Sequence, residues 1–238
     1  MRAADLRTAD QLYKRQGVRM LVYGKAGSGK TPMIQSAPRP VLLATEVGTT
    51  SLRGSNVPIC EARTADAVDE FFKWFFESNE SKSFDTVCID SYTRLMELFL
   101  ERALVKTRGA KIPAYGILET DGNILNYKLF NMVDKHAYLI AQLGKLGEED
   151  PSMAPAFPGK ALNRSIPHLF DQLGYISKIV VGGVPEGVSA LRFRETPAVQ
   201  ARDRSMRLDE LEYPNDAQGN PCAVGFPNLS RIFAKVMS

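Results

Sequence analysis

The sequence is poor in the residues that build metal centres and disulfide frameworks. Its 238 residues include two histidines, three cysteines and one tryptophan. Cys60, Cys88 and Cys222 show no CxxC spacing, and their odd number argues against a disulfide framework, so reduced thiols in a cytoplasm are the simplest interpretation. Neither His136 nor His168 has a cysteine or aspartate partner at ligand spacing, so neither indicates a metal site.

Long apolar runs and a strong charge of either sign are also missing. No uninterrupted apolar stretch approaches the ~18 residues that a membrane-spanning helix needs, and the N-terminus has no apolar core of signal-peptide length. We therefore expect a cytoplasmic protein with no membrane partner. A net charge of +3 does not indicate nucleic-acid binding by itself, so a DNA-binding surface would have to be a local cluster of basic residues.

Strand-like and helix-like segments alternate, which is typical of an α/β fold with a mostly parallel, twisted sheet flanked by helices. The pattern predicts strands at 18–23, 41–45, 57–60, 84–90 and 136–142, and helices at 64–78, 92–107 and about 117–134. Residues 144–159 are rich in Gly, Pro and acids and predict a long mobile loop.

The last third of the chain has a different character. Short strands at 175–181, 190–195 and 198–204 predict an antiparallel extension of the sheet, and apolar spacing at 229–236 predicts a docking helix. No linker divides the chain, so we expect a single domain over 1–238, with a core over about 17–205 and a C-terminal tail over 206–238.

The segment Gly24-Lys-Ala-Gly-Ser-Gly-Lys30-Thr31 matches the phosphate-loop pattern G-x-x-x-x-G-K-[ST] in full. It follows a predicted strand and opens a predicted helix, which must be short because Pro38 and Pro40 close it. Glycines let the backbone curl so that its N–H groups surround an anion, and the helix adds its positive end.

This motif predicts an ATP site. The residues that we expect to hold the phosphates are Gly24, Lys25, Ala26, Gly27, Ser28, Gly29, Lys30, Thr31 and Pro32. Lys30 supplies a positive charge to the β- and γ-phosphates, and the Thr31 hydroxyl is a ligand for Mg²⁺. Pro32 falls in the first helical turn, where its missing N–H costs little.

Two acids follow predicted strands. Asp90 ends the apolar strand 84–90, where P-loop folds carry an acid that holds the hydration shell of Mg²⁺. Taken alone, an Asp that caps the helix that follows would be the commoner explanation. Glu46 directly follows the strand 41–45, so it should emerge at the same carboxyl edge of the sheet as the phosphates.

The order of these motifs resembles the RecA-core recombinases. Over about residues 17–205 it resembles more closely the small phage-encoded RecA-core ATPases associated with single-strand annealing. The resemblance is carried by the phosphate loop and by the strings TEVGTTSL, VCIDSYTRL, PGKALNRSIPHLFDQLGY and VQARDRS. It implies a RecA-like fold, with Glu46 activating the attacking water and Gln142 sensing the γ-phosphate. A second DNA loop, from Leu143 to about Asn163, is also implied.

The resemblance also implies three partners: single-stranded DNA, further copies of the chain in a ring or filament, and a single-strand-binding protein. The cellular location that it implies is the cytoplasm of a phage-infected bacterium. Arg202 and Arg204 match a late-strand K-x-R pair that reaches the neighbouring subunit's γ-phosphate in related ring ATPases, with Arg in place of Lys. Alternate strand residues face one side, so both fit a catalytic role. A charged edge strand is the alternative explanation.

Basic residues occur in both regions where that family has DNA loops. The first region carries Lys106, Arg108 and Lys111 with Tyr115, and the second carries Lys145, Lys160 and Arg164 with Phe157. Cations combined with aromatic rings suit a single strand. An ordinary solvated surface is the alternative explanation.

Three classes of function stay open. An ATP-hydrolysing protein that acts on single-stranded DNA in recombination or annealing is favoured, because Glu46 and the arginine pair fit hydrolysis. A P-loop kinase of a small molecule would share Lys30 and Thr31 but usually needs an Arg-bearing lid and an acceptor pocket. A scaffold that uses ATP only to lock an assembly would lose nothing but nucleotide affinity when Glu46 is changed.

Overall fold

A computed structural model describes residues 6, 8, 17–147, 150–181, 184–216 and 220–238. The strands are β1 (Arg19–Tyr23), β2 (Pro40–Ala44), β3 (Ile59–Glu61), β4 (Thr86–Asp90), β5 (His136–Lys145), β6 (Met153–Ala156), β7 (Gln172–Val181), β8 (Val184–Arg192), β9 (Arg202–Asp203) and β10 (Leu211–Glu212). The α-helices are α1 (Ala65–Glu77), α2 (Tyr92–Lys106), α3 (Lys111–Phe130), α4 (Lys160–Leu169) and α5 (Leu229–Met237). Short 3-10 helices cover Pro32–Ser36, Thr49–Leu52 and Glu80–Ser83.

The strands form one mixed sheet in the order β10-β8-β7-β1-β5-β4-β2-β3, with β6 beside β5 and β9 beside β7. From β7 across to β3 all neighbours along this order are parallel. The pairs that involve β6, β8, β9 and β10 are antiparallel. The predicted α/β fold with a mostly parallel sheet and an antiparallel C-terminal extension is confirmed. Because parallel strands end at a common edge, the ends of β1, β2, β4 and β5 meet there.

Apolar layers cover both faces of the sheet. Helices α1 to α4 cover one face, where α1 contributes a Phe-rich side capped at its start by the Thr64 hydroxyl. The opposite layer is built from the 3-10 helix Pro32–Ser36 and from α5, which buries Leu229, Ile232, Phe233 and Val236. The docking helix predicted at 229–236 is thus present as α5.

The short helix predicted after the phosphate loop is present as a 3-10 helix and not as an α-helix. Five residues, Pro32–Ser36, form a 3-10 helix, and Ala37 is already extended. Pro38 and Pro40 leave too few residues for a cooperative α-helix, because its nucleus is costly. The tail helix α5 covers the sheet face that a longer helix would have covered, and the Leu229 amide donates to Ser36 Oγ at 2.9 Å.

The prediction of one long loop over 144–159 is wrong, because β5 and β6 extend into this range. Residues 148–149 lie outside the described chain. β5 continues to Lys145 and turns back into β6, which pairs Gln142 with Ala156 and Lys145 with Met153. Tyr23 Oη holds this hairpin by donating to Met153 O at 2.7 Å. Helix α4 was not predicted because Pro167 lies inside it, and the strand predicted at 198–204 shortens to Arg202–Asp203.

The opposite, amino edge of the sheet holds buried Arg19 and half-buried His136. Arg19 is 3% exposed and donates to the carbonyls of Leu129 (2.8 Å), Met132 (2.7 Å) and Lys135 (2.6 Å). Burial lowers the pKa of Arg19 to about 10. His136 Nδ1 accepts the Val18 amide at 2.9 Å, and burial together with Arg19 lowers the pKa of His136 from 6.5 to about 4.

Replacing His136 with Asn should flatten the acid side of the stability profile. The unfolded chain protonates this imidazole near pH 6.5, whereas the folded chain resists protonation down to about pH 4. The imidazole therefore lowers the free energy of unfolding as the pH falls, by about 2 kcal/mol between pH 7.5 and 5. Asn keeps an acceptor for the Val18 amide but does not titrate. Urea unfolding at the two pH values measures the difference, and an unchanged pH dependence in the variant would contradict the assignment.

Candidate active site

The site is built around the loop between β1 and the 3-10 helix Pro32–Ser36. Gly24 lies so close to β7 that a Cβ atom would be 2.4 Å from Ile176 O. Gly27 and Gly29 have φ values of +75° and +104°, which side-chain-bearing residues rarely adopt. Each of these three predicted glycines is therefore needed where it stands. Since one 3-10 turn carries little dipole, anion binding here depends on the loop amides and on Lys30.

Lys30 folds over this loop. Its Nζ donates to the carbonyls of Gly24 at 2.7 Å and Lys25 at 2.8 Å. Burial lowers the pKa of Lys30, and the carboxylates of Asp90 and Glu46 act in the opposite direction. From behind, Tyr138 Oη donates to Lys30 O at 3.0 Å. The ammonium is thus held within the loop that would receive the phosphates.

Thr31 and Asp90 meet at the carboxyl ends of β1 and β4. Thr31 Oγ1 donates to Asp90 Oδ2 at 2.5 Å. Burial raises the pKa of Asp90 and the Thr31 hydrogen bond opposes this, so a bound cation would relieve the cost of burying the carboxylate. No cluster of three or more His, Cys, Asp or Glu capable of holding a metal occurs among the described residues. Two oxygen donors beside a phosphate site fit Mg²⁺, which binds few protein ligands and completes its shell with phosphates and water.

Glu46 and Gln142, predicted from different strands, touch each other. Gln142 Nε2 donates to Glu46 Oε1 at 2.8 Å, and Ser91 Oγ donates a short hydrogen bond to the same oxygen. Together with Lys30, Thr31 and Asp90 these residues line one cleft of about 410 Å³. The structure therefore brings Glu46 and Gln142 into one place with the predicted metal residues and with Lys30 of the phosphate loop.

Ser91 is a site residue that the sequence did not reveal. The Ser91 amide donates to Thr45 Oγ1 at 3.0 Å. The Ser91 hydroxyl accepts the Arg94 amide at 3.1 Å, so Ser91 is the N-cap of α2. In the sequence, a serine before a helix indicates only a cap. Its second role, holding the Glu46 carboxylate, depends on the pairing of β2 with β4.

Arg202 and Arg204 lie away from this cleft. β9 pairs with the start of β7, which in turn pairs with the start of β1. The phosphate loop follows the other end of β1, so the two arginines lie near the opposite edge of the sheet. Arg202 Nη2 donates to Pro167 O at 2.5 Å and Phe170 O at 3.1 Å. Arg204 donates to His168 O and pairs with Asp171 at 3.1 Å. Neither arginine can serve the cleft of its own chain, so their catalytic role in a neighbouring subunit stays a prediction.

The basic residues assigned to DNA are exposed. They are Lys106, Arg108, Lys111, Lys145, Lys160 and Arg164. Phe157 is wrong as a stacking platform, because it is 5% exposed and packs edge-to-face on Tyr92 at 5.7 Å. Tyr115 is 41% exposed and lies against Gly159, whose Cβ would be 2.9 Å from Tyr115 Cε1. Tyr115 and Lys160 therefore line one groove of about 480 Å³ between α3 and α4, which we call the α3–α4 groove.

A phosphate loop after the first strand, an acid at the end of β4 and a second acid after β2 define the class. The protein is a P-loop NTPase with a RecA-like fold. No helix in the described chain is long and apolar enough to cross a membrane.

Comparison with known families agrees with this class. An AAA-domain family profile matches residues 16–205, so the chain belongs to this family of P-loop ATPases. A KaiC-like protein of Pyrococcus horikoshii is similar in structure, with a TM-score of 0.46 and 15% identity over 76% of this chain and 79% of that one. The flagellar accessory protein FlaH of Methanocaldococcus jannaschii gives a TM-score of 0.42 and 9% identity over 84% and 85% of the two chains. No curated protein sequence matches.

Proposed function

We propose that the protein hydrolyses ATP and couples hydrolysis to single-stranded DNA in recombination or annealing. The observation that carries this proposal is the contact between Glu46 and Gln142 within the phosphate cleft, at 2.8 Å. Glu46 is placed to act on a water, and Gln142 is the point from which the β5–β6 hairpin leaves the cleft. A kinase or a scaffold has no need of this pair.

The chemistry is divided among a few groups. Lys30 and the loop amides bind the phosphates, while Thr31 and Asp90 hold Mg²⁺, which neutralises phosphate charge. Glu46 orients a water and accepts its proton as the oxygen attacks the γ-phosphorus and the bond to the β–γ bridging oxygen breaks. Ser91 and Gln142 keep the Glu46 carboxylate turned into the cleft.

A short path leads from the cleft to the α3–α4 groove. Thr93 Oγ1 accepts the Gln142 amide at 2.9 Å and donates to Ala156 O at 2.7 Å, which ties the two strands of the hairpin to α2. Three residues after Ala156, Gly159 packs on Tyr115 and starts α4. A movement of Gln142 towards a γ-phosphate would therefore be transmitted to the groove through a contiguous set of contacts.

The α3–α4 groove has the chemistry of a single-strand site. Tyr115 offers a partly exposed ring, Ile112 is 89% exposed and Lys160 supplies a cation. Stacking on an aromatic ring and contact with a phosphate are what single strands use. The other predicted basic residues lie on the exposed surface, where they would contact phosphates further along the strand.

Arg202 and Arg204 would complete the site of the next copy in a ring or filament, and a single-strand-binding protein is a further expected partner.

Steady-state ATP hydrolysis with and without single-stranded DNA tests the proposal. We expect a rate that Lys30→Ala abolishes and that single strands stimulate. Combining Tyr115→Ala with Lys160→Ala should weaken DNA binding by at least ~10-fold and remove the stimulation, because it deletes one stack and one phosphate contact. Lys82→Ala, an exposed lysine at the amino edge of the sheet, is the control and should change nothing. Hydrolysis that ignores DNA would overturn the DNA role and favour a small-molecule kinase or a scaffold.

A further inference from the structure

Phe226, in the tail, lies directly on the phosphate loop. A Cβ atom on Gly29 would be 2.2 Å from Phe226 Cδ1 and 2.4 Å from Cε1, so only the bare glycine backbone admits the ring. The ring is not a core residue, because 39% of Phe226 is exposed. An aromatic ring that rests on a phosphate loop and keeps part of its surface open is placed to contact something bound at that loop.

The tail is fixed in this position by hydrogen bonds to the end of the 3-10 helix. The Leu229 amide donates to Ser36 Oγ at 2.9 Å, and Ser230 Oγ donates to Ser36 O at 2.6 Å. Phe226 and residues that follow it form one wall of a cleft of about 300 Å³, which we call the tail cleft; residues 212–215, among them Glu212, Tyr213 and Asn215, form the other.

The tail cleft and the phosphate cleft have no lining residue in common. Glu46, Asp90 and Gln142 line the phosphate cleft, and none of them lines the tail cleft. A triphosphate whose γ-phosphate faces Glu46 must direct its nucleoside away from these residues. The tail cleft borders the phosphate loop through Phe226, which lines the cleft and lies on Gly29.

The wall of the tail cleft carries groups that recognise a base. Tyr213 and Phe226 are aromatic, and Asn215 has an amide with one donor and one acceptor group. Asn215 lines the cleft, and its buried Oδ1 accepts no hydrogen bond from any described residue, so the side chain carries an unsatisfied acceptor. Adenine presents a neighbouring donor and acceptor that an Asn amide can match, whereas the corresponding edge of guanine presents two acceptors.

We propose that the base of the bound nucleotide lies in the tail cleft, stacked on Phe226 and read by Asn215, and that this base is adenine. The proposal rests on nucleotide binding at the phosphate loop as set out under the proposed function, and it assigns base selection to the tail. Phe226 would contact the ligand itself, and Asn215 would determine the preference for ATP over GTP.

The test compares equilibrium binding of ATP, GTP and inorganic tripolyphosphate, each with Mg²⁺. Phe226→Ala should weaken ATP about tenfold or more and leave tripolyphosphate unchanged, because tripolyphosphate has no base to stack. Asn215→Ala should bring the affinities for ATP and GTP close together. Val224→Ala, an 81% exposed residue of the same segment, is the matched control and should bind all three ligands as the wild type does.

Each outcome has a distinct meaning. Equal ATP affinity in the wild type and in Phe226→Ala would overturn the base site. An equal loss for ATP and tripolyphosphate would show that Phe226 only supports the loop, and it would also overturn the proposal. Phe226→Leu, which keeps an apolar cover on Gly29, separates stacking from folding: it should retain tripolyphosphate binding while ATP binding stays weakened. A wild-type protein that binds no nucleotide would instead refute the proposed function.

Discussion

Replacing Glu46 with Gln is expected to lower the rate of ATP hydrolysis by about 100-fold or more, within the range that a general base supplies. ATP affinity should change little. Gln keeps an Oε1 atom that can accept the hydrogen bonds from Ser91 and Gln142, so the geometry of the cleft is retained. Only the negative charge that takes the proton of the attacking water is lost. Steady-state hydrolysis and equilibrium ATP binding measure the two quantities.

Glu61→Gln is the matched control for this experiment. Glu61 ends β3, beside the strand that Glu46 follows, and its ion-pair partner is Arg63 at 3.4 Å. This variant should hydrolyse ATP at the wild-type rate. If Glu46→Gln also kept that rate, Glu46 would not be the base, and the scaffold and kinase alternatives would gain. A variant that lost ATP binding would instead show that Glu46 supports the phosphate loop.

Replacing Arg19 with Met is expected to reduce the free energy of unfolding by about 3 kcal/mol. Each of three buried carbonyls, on Leu129, Met132 and Lys135, loses a charged donor, at ~1–3 kcal/mol apiece. Removing the buried positive charge restores part of the lost stability, because burying that charge is costly. The lowered pKa of Arg19, about 10, is a sign of this cost. The hydrogen bonds should outweigh the relief, because Met fills the space without donating. Urea unfolding gives the difference.

Two companion variants show whether the loss comes from these hydrogen bonds. Arg39→Met removes an exposed arginine that pairs with Asp85 at the same edge of the sheet, and it should alter stability little. Arg19→Lys keeps the charge but cannot present the guanidinium fork to three carbonyls, so it should be destabilised nearly as much as Arg19→Met. A stable Arg19→Lys protein would show that charge, and not the fork, holds the end of α3.

Much of the phosphate cleft could be predicted from the sequence, because Asp90, Glu46 and Gln142 lie where the parallel pairing of a strand ends. In a parallel sheet the strand ends share one edge, so Asp90, Glu46 and Gln142 needed only correct strand assignments to be placed together. The phosphate loop is itself a continuous motif. Ser91 was not predicted as a site residue, because its contact with Glu46 depends on the pairing of β2 with β4 and not on a local sequence pattern.

The missed elements share a different cause. Pro167 inside α4 and Pro155 inside β6 hide helical and strand periodicity, so the hairpin and the helix were not recognisable before their packing was known. The proximity of Phe226 to Gly29 spans nearly the whole chain, and no local signal predicts a contact at that separation. The α3–α4 groove is an intermediate case: Tyr115 and Lys160 were recognisable in the sequence, but that Tyr115 is accessible and Phe157 is not depends on burial.

Under the two proposals above, the position of the tail separates two tasks along the chain. Phosphate chemistry is encoded by strand ends before residue 143, whereas Phe226 and Asn215 lie beyond residue 205, where the family match stops. Substitutions in the tail could therefore alter which nucleotide is accepted without disturbing how its phosphate is cleaved. Two members of the family with the same phosphate loop would then not need to bind the same nucleoside triphosphate.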